Sequence, residues 1–394
     1  MASGILDGVR VLDLSRVLAG PWCGAYLADL GADVIKIEHP VDVDESRVWP
    51  PQRAGESAAF QTVNRNKRGM CIDLRSAEGA AVVLELVERS DVVIENFRPG
   101  TLDEFGLGYE QLAERNPRII VCSVSAYGSR GPLAQLGGYE AVMQAFTGIM
   151  HITGDPAGQP ARCGISALDL ATGMNATIAV LGALLHRSSI GRGQHIEVSL
   201  MATALGLLNY HAGGLLLCDE EPERRGSEHP SLVPYGVFPC RDDQHVFIAA
   251  GNDRLWARMC GVLAIDDVEE HRTLVGRQRQ RSVVNAMVAS ATSRLTVDEA
   301  VAKLVEAAIP ASPVNTVGQF LNHPQVAANE LLAVVEHETL GSIELPKVPL
   351  RFSEAATAVR TAAPQLGEHT RAVLAELGRT SDEIDAMFAS GAFG

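Results

Sequence analysis

Short apolar runs alternate with amphipathic stretches through the first two hundred residues. Residues 9–14 form one such run, and Ala19-Gly20-Pro21 turns the chain into a helix that reaches Leu30. Gly31-Ala32-Asp33 ends that helix, and Val34-Ile35-Lys36-Ile37-Glu38 reads as the next strand. Further strands are predicted over 70–74, 92–96 and 119–124, with helices over 77–88 and 109–115 between them. Repeated strand–helix–strand units predict an α/β fold with a doubly wound, Rossmann-like parallel sheet, helices covering both faces. Ligands of such sheets bind at the carboxyl ends of the strands. A small-residue helix then runs from about Leu170 toward Gly191-Arg192-Gly193, with His195 on the strand that follows.

Around 219–233 the composition shifts to Asp, Glu, Pro, Arg and Ser, the best linker candidate in the chain. It separates a large domain over 1–218 from a smaller α+β domain over 234–330. In the smaller domain, residues 235–240 and 245–250 flank a polar turn as a hairpin, and helices are expected near 253–263, 281–290 and 297–307. Residues 331–394 return to the large domain with a strand at 345–350 and two amphipathic helices. A capping box at Thr380 and Glu383 opens the second. No internal repeat or low-complexity tract interrupts this plan.

Composition narrows the function. With 394 residues and 46% apolar content, the chain can bury a substantial core in two domains. Aromatics are only 5%, so packing relies on Ala, Val, Leu and Gly. A net charge of −15 argues against a nucleic-acid or anionic-membrane partner. The start, Met1-Ala2-Ser3-Gly4-Ile5-Leu6-Asp7, lacks the basic and apolar regions of a signal peptide. The later apolar stretches are read as buried helices that fall short of a membrane span. Seven scattered cysteines without a Cys-x-x-Cys pair suggest reduced thiols and a cytoplasmic protein.

Four places carry candidate chemistry. Asp169 stands where the Arg162-to-Leu168 approach meets the long helix. An aspartate there is usually a cap, but a carboxylate held anionic by a helix terminus can also attack an acyl carbon. Asn64-Arg65-Asn66-Lys67-Arg68 concentrates cations in an acidic chain. With Arg75 beyond it, this run suits a phosphorylated ligand such as an adenosine 3′-phosphate and diphosphate. Asn96-Phe97-Arg98-Pro99-Gly100 closes a strand with an amide, an aromatic face and a cation, a reasonable nucleotide wall. Gly137-Gly138-Tyr139-Glu140 opens another helix with a carboxylate in its first turn. The turn at Ala19-Gly20-Pro21-Trp22-Cys23-Gly24 lacks the dinucleotide-binding spacing. No histidine pair has metal-ligand spacing, and no Gly-x-Ser-x-Gly elbow is present.

Several stretches occur in an order and spacing that resemble the class III CoA-transferases, the formyl-CoA and carnitine CoA-transferase type. They are Leu6 to Asp13, Gly31 to Glu38, Asn64 to Arg68, Glu95 to Gly100, Gly138 to Glu140, Asp169 to Gly173 with Gly191 to Val198, and Pro364 to Thr370. The resemblance implies two ring-like chains interlocked as a homodimer. It also implies CoA transfer from an acyl-CoA donor to a small carboxylic acid without a metal. Asp169 would be the nucleophile, passing through an anhydride and an aspartyl-CoA thioester, with Glu140 beside it. CoA would contact Val17, Leu18, Ala19, His39, Lys67, Arg68, the Ile72-Asp73-Leu74-Arg75 stretch, Asn96 to Arg98, and Gly137 to Tyr139. This chain departs from the formyl-CoA pattern at His39, Glu104 and Gly137, where basic residues are usual. It also has Arg225 to Pro230 in place of a glycine-rich loop, which points to acids other than formate and oxalate. The alternatives are an α-methylacyl-CoA racemase, which uses a His/Asp pair, and a non-catalytic acyl-CoA-binding protein.

Overall fold

The computed structural model describes residues 4–394; Met1-Ala2-Ser3, the first part of the stretch from which the absence of a signal peptide is expected, lies outside them. The larger of two compact units comprises residues up to Ile149, Cys163–Glu220 and Asn329–Gly394. It is built on six parallel strands: β1 (Arg10–Asp13), β2 (Asp33–Glu38), β3 (Lys67–Cys71), β4 (Val92–Glu95), β5 (Ile120–Ser125) and β6 (His195–Ser199). Their spatial order is β3-β2-β1-β4-β5-β6. The winding direction reverses between β1 and β4, which opens a crevice at their carboxyl ends.

Alternate strand residues point to opposite faces, and both faces are apolar, so each must be covered. Leu12, Ile35, Met70, Val93 and Val121 enter one core; Val11, Val34, Ile94, Ile120 and Cys122 enter the other. The first core is closed by helices Ala77–Glu88 and Tyr109–Arg115 and by the C-terminal helices Thr370–Glu376 and Ser381–Ala389. The second is closed by α1 (Ala19–Asp29), α2 (Glu140–Phe146), α3 (Ala167–Ile190) and the start of α4 (Leu200–Cys218).

Two strand positions differ from expectation. β3 begins at Lys67 rather than residue 70, because Lys67 and Arg68 find carboxylate partners and can therefore occupy strand positions. Ile72 instead makes an isolated bridge to Phe393. The strand expected at 345–350 lies at Gly341–Pro346, paired antiparallel with an unanticipated strand at Leu332–His337. α3 and α4 also correct the reading that no stretch reaches a membrane span, since both are long and apolar enough to cross one. α3 places Leu168, Ala176 and Val180 in the sheet's core.

The smaller unit comprises Met150–Arg162 and Glu221–Ala328. Strands Tyr235–Pro239, His245–Ala249 and Ala311–Pro313 form an antiparallel sheet with the middle strand at the centre. Helices Asp253–Leu263, Arg281–Thr292 and Val297–Glu306 pack on it around Trp256, Val284 and Leu304. The piece Met150–Arg162 had no signal in the sequence. Arg224 donates to the His151 carbonyl at 3.0 Å, and the Gly226 N–H donates to the Gly154 carbonyl at 3.0 Å.

Candidate active site

The crevice begins with the loop after β1. Lys36, fully buried, donates to the Ser15 carbonyl at 2.9 Å and pairs with the buried Asp44 at 2.9 Å. Asp44 in turn accepts the Val17 N–H at 3.1 Å, and Val17 has φ 71°. That left-handed conformation is unfavourable for a β-branched residue, so the surrounding polar groups impose it. Burial works to raise the Asp44 carboxyl, but the Lys36 ammonium and the Ser46 donors outweigh it and hold Asp44 well below the usual carboxylate range. From β4, Asn96 clamps the same loop, accepting the Arg16 N–H at 2.9 Å and donating to the Arg16 carbonyl at 2.7 Å. Its neighbour Glu95 accepts the Phe97 N–H at 2.8 Å, and burial pushes the Glu95 carboxyl up to about 7.

Asp169 sits in the first turn of α3, half-buried, where the helix dipole favours a negative charge. The approach to this turn is held from α2. Glu140, buried, accepts the Leu168 N–H at 3.3 Å and the Gln144 amide at 2.6 Å. Gln144 accepts the Cys163 N–H at 2.9 Å. One turn beyond Asp169, Gly173 lets α1 approach: a Cβ there would stand 2.6 Å from the Ala19 carbonyl and 3.0 Å from Trp22.

Asp169 and Glu140 line one cleft of about 150 Å³ together with Val17, Leu18, Ala19, Asn96, Phe97, Arg98, Gly137, Gly138 and Tyr139. Pro99, from the anticipated 96–100 segment, completes the wall with Val124, Ser125, Ala126, Leu136 and Leu200, which were not anticipated. Ser125 ends β5, so the strand-end rule alone could have found it. Phe97 also lines a neighbouring hollow of about 110 Å³ with His39, Ile72, Asp73, Leu74, Arg75 and Phe105. There the Arg75 guanidinium donates to Asp73 at 2.9 Å and contacts His39 while staying largely exposed. Arg98 and Arg75 thus present cations at two points along the crevice.

Lys67 and Arg68 lie in neither hollow; with Asn66 they line a separate one of about 320 Å³, beside His337 and His369. Lys67 is fully buried against Asp13 at 2.7 Å and also donates to Asn64 at 2.8 Å; burial draws its ammonium down to about 8 against the opposing pull of Asp13. Arg65 is fully buried against Asp29 at 2.6 Å, and Asn66 donates to the same carboxylate at 2.7 Å. Arg68 bridges Asp33 at 2.7 Å and Glu376 at 2.6 Å. These ion pairs hold strands and helices together. No group of three or more His, Cys, Asp or Glu side chains is set to hold a metal among the described residues.

A family model described as CoA-transferase family III matches residues 6–370. Succinate–glutarate CoA-transferase of Agrobacterium fabrum is 37% identical over 94% of this chain and 95% of its own length. The β subunit of succinyl-CoA–L-malate CoA-transferase from Chloroflexus aurantiacus is 35% identical over 97% of this chain and 96% of its own. The crystal structure of a CAIB/BAIF family protein from Brucella suis superposes with a TM-score of 0.86 at 36% identity, covering 96% of this chain and 100% of that one. The chain belongs to CoA-transferase family III. It is an acyl-CoA:carboxylate CoA-transferase, in place of the racemase and non-catalytic alternatives.

Proposed function

We propose that the enzyme moves CoA between small dicarboxylic acids, with succinyl-CoA as donor and a four- or five-carbon diacid as acceptor, and that Asp169 is its nucleophile. The carrying observation is the place of Asp169: on a helix first turn, inside the cleft at the sheet's reversal point, beside Glu140. The substrate class is supported by the relatives, which are named for succinate, glutarate and malate.

Asp169 attacks the thioester carbonyl and expels CoA thiolate, leaving a mixed anhydride. The thiolate then attacks the aspartyl carbonyl, releasing the donor acid and forming an aspartyl-CoA thioester. The acceptor carboxylate displaces the thiolate to form a second anhydride. Thiolate attack on the acceptor's acyl carbon releases the new acyl-CoA and regenerates Asp169. Anhydride and thioester are close in energy, so the sequence runs without ATP, provided water is excluded from the cleft.

The 150 Å³ cleft would take the acyl group, and the hollow between His39 and Arg75 would take the nucleotide end of CoA. The exposed guanidiniums of Arg98 and Arg75 supply charge for its phosphates. A second copy of the chain would cover α4, whose Leu205, Leu207, Tyr210, Leu216 and Leu217 are exposed. Assaying succinyl-, acetyl-, formyl- and oxalyl-CoA against a panel of free acids tests the substrate class. The highest kcat/KM should fall on succinyl-CoA with glutarate or malate; preference for formate or oxalate would overturn it.

A further inference from the structure

We propose that Gln144 is a positioning residue of the transfer reaction, setting the first turn of α3, and so the Asp169 carboxylate, through Glu140. This rests on the assignment of Asp169 as nucleophile. Gln144 lies one turn after Glu140 on α2 and is fully buried. Its Nε2 donates to Glu140 Oε1 at 2.6 Å, and its Oε1 accepts the Cys163 N–H at 2.9 Å. The same Glu140 oxygen accepts the Leu168 N–H at 3.3 Å. Both ends of the segment 163–168 are therefore tied to a single turn of α2. Asp169 is the next residue, so any slack in that turn displaces its carboxylate directly.

The chemistry requires this side chain. One end of the residue must donate to a carboxylate and accept from an amide, which glutamine does with its two terminal atoms. An ionised glutamate would face Glu140 with like charge and no proton. An apolar residue would leave the Cys163 N–H without the partner it has here, a loss that is costly inside a protein. A displacement near 1 Å at a reacting group can cost about a hundredfold in rate.

The test uses the full-length enzyme with Gln144→Met and Gln144→Glu. In Gln144→Met, kcat should fall about 10- to 100-fold while KM for the acyl-CoA stays within about twofold. In Gln144→Glu, activity relative to wild type should rise as the pH is lowered, because the protonated carboxyl regains one donor and one acceptor. A purely packing role would not produce that pH-dependent rescue. Wild-type kcat in Gln144→Met, or a loss confined to KM, overturns the proposal. Should Gln144→Met fail to fold, a relative activity of Gln144→Glu that is flat with pH overturns it instead. Asp169→Ala is run alongside: if it still transfers CoA, the assignment of the nucleophile fails. If it is dead while Gln144→Met is normal, only the role of Gln144 fails.

Discussion

The Asp44 carboxylate receives the main-chain N–H of Val17 on both oxygens, at 3.1 and 3.2 Å, and so holds Val17 at φ 71° on the wall of the cleft. The same carboxylate neutralises the fully buried Lys36. Asp44→Asn leaves that ammonium without its partner and should destabilise the protein by about 3–5 kcal/mol in urea unfolding. The double variant Lys36→Met/Asp44→Leu should recover most of the stability yet keep a raised KM for acyl-CoA, since the Val17 loop has lost its anchor. The Asp44 carboxyl is depressed in the folded state, so its contribution is full above the unfolded carboxylate pKa of about 3.9 and is lost as pH falls below it. An Asp44→Asn protein as stable as wild type would contradict this.

The approach of α1 to α3 depends on Gly173. Alanine there places a Cβ 2.6 Å from the Ala19 carbonyl, so one helix must move, at a cost of about 1–3 kcal/mol. Because Ala19 and Asp169 line the same cleft, kcat should fall along with the melting temperature. Thermal melts and steady-state kinetics on Gly173→Ala decide the matter; wild-type values in both would show that the helices have room.

The cations divide into structural and ligand-facing groups. Lys67→Met and Arg65→Met each strand a buried aspartate and should lower stability, leaving KM for acyl-CoA of the folded protein near normal. Arg75→Ala should keep its stability and raise KM for acyl-CoA about tenfold, the worth of one lost charge-assisted hydrogen bond. The reverse pattern would assign phosphate binding to the 64–68 cluster instead.

Glu95 gives a pH signature. Its folded pKa of about 7 lies above the unfolded glutamate value, so the stability it contributes is complete below about 4.3 and is lost as pH rises through 7. Glu95→Gln removes that titration. Between those limits wild type should lose stability relative to the variant by on the order of 3 kcal/mol. Parallel urea curves at several pH values would refute the assignment if the difference stayed constant.

Much of this was legible in the chain. The alternation of strands and helices follows from apolar runs separated by helical patterns, and the Asn96-to-Arg98 and Gly137-to-Glu140 segments stand out as glycine and polar clusters at element ends. Asp169 is set apart from an ordinary helix cap by the family resemblance, and the spatial order of the strands was not legible. The ion pairs of the 64–68 cluster were not legible, because local composition says nothing of distant partners. Lys67 meets Asp13 across 54 positions, and Arg65 meets Asp29 across 36. The same distance hid Asp44, 27 positions from Val17, and Gln144, 19 from Cys163. The ribbon strand at Leu332–His337 and the Met150–Arg162 piece are set by tertiary pairing, which periodicity does not encode.

The identity of the acylated residue is the point on which the mechanism turns. Incubating the enzyme with succinyl-CoA and hydroxylamine, then sequencing the peptides by mass spectrometry, reads it directly. The expected result is a hydroxamate on Asp169, formed at a rate matching turnover and absent from Asp169→Ala. Steady transfer with no adduct on that side chain, or with an adduct on Glu140 instead, would contradict it.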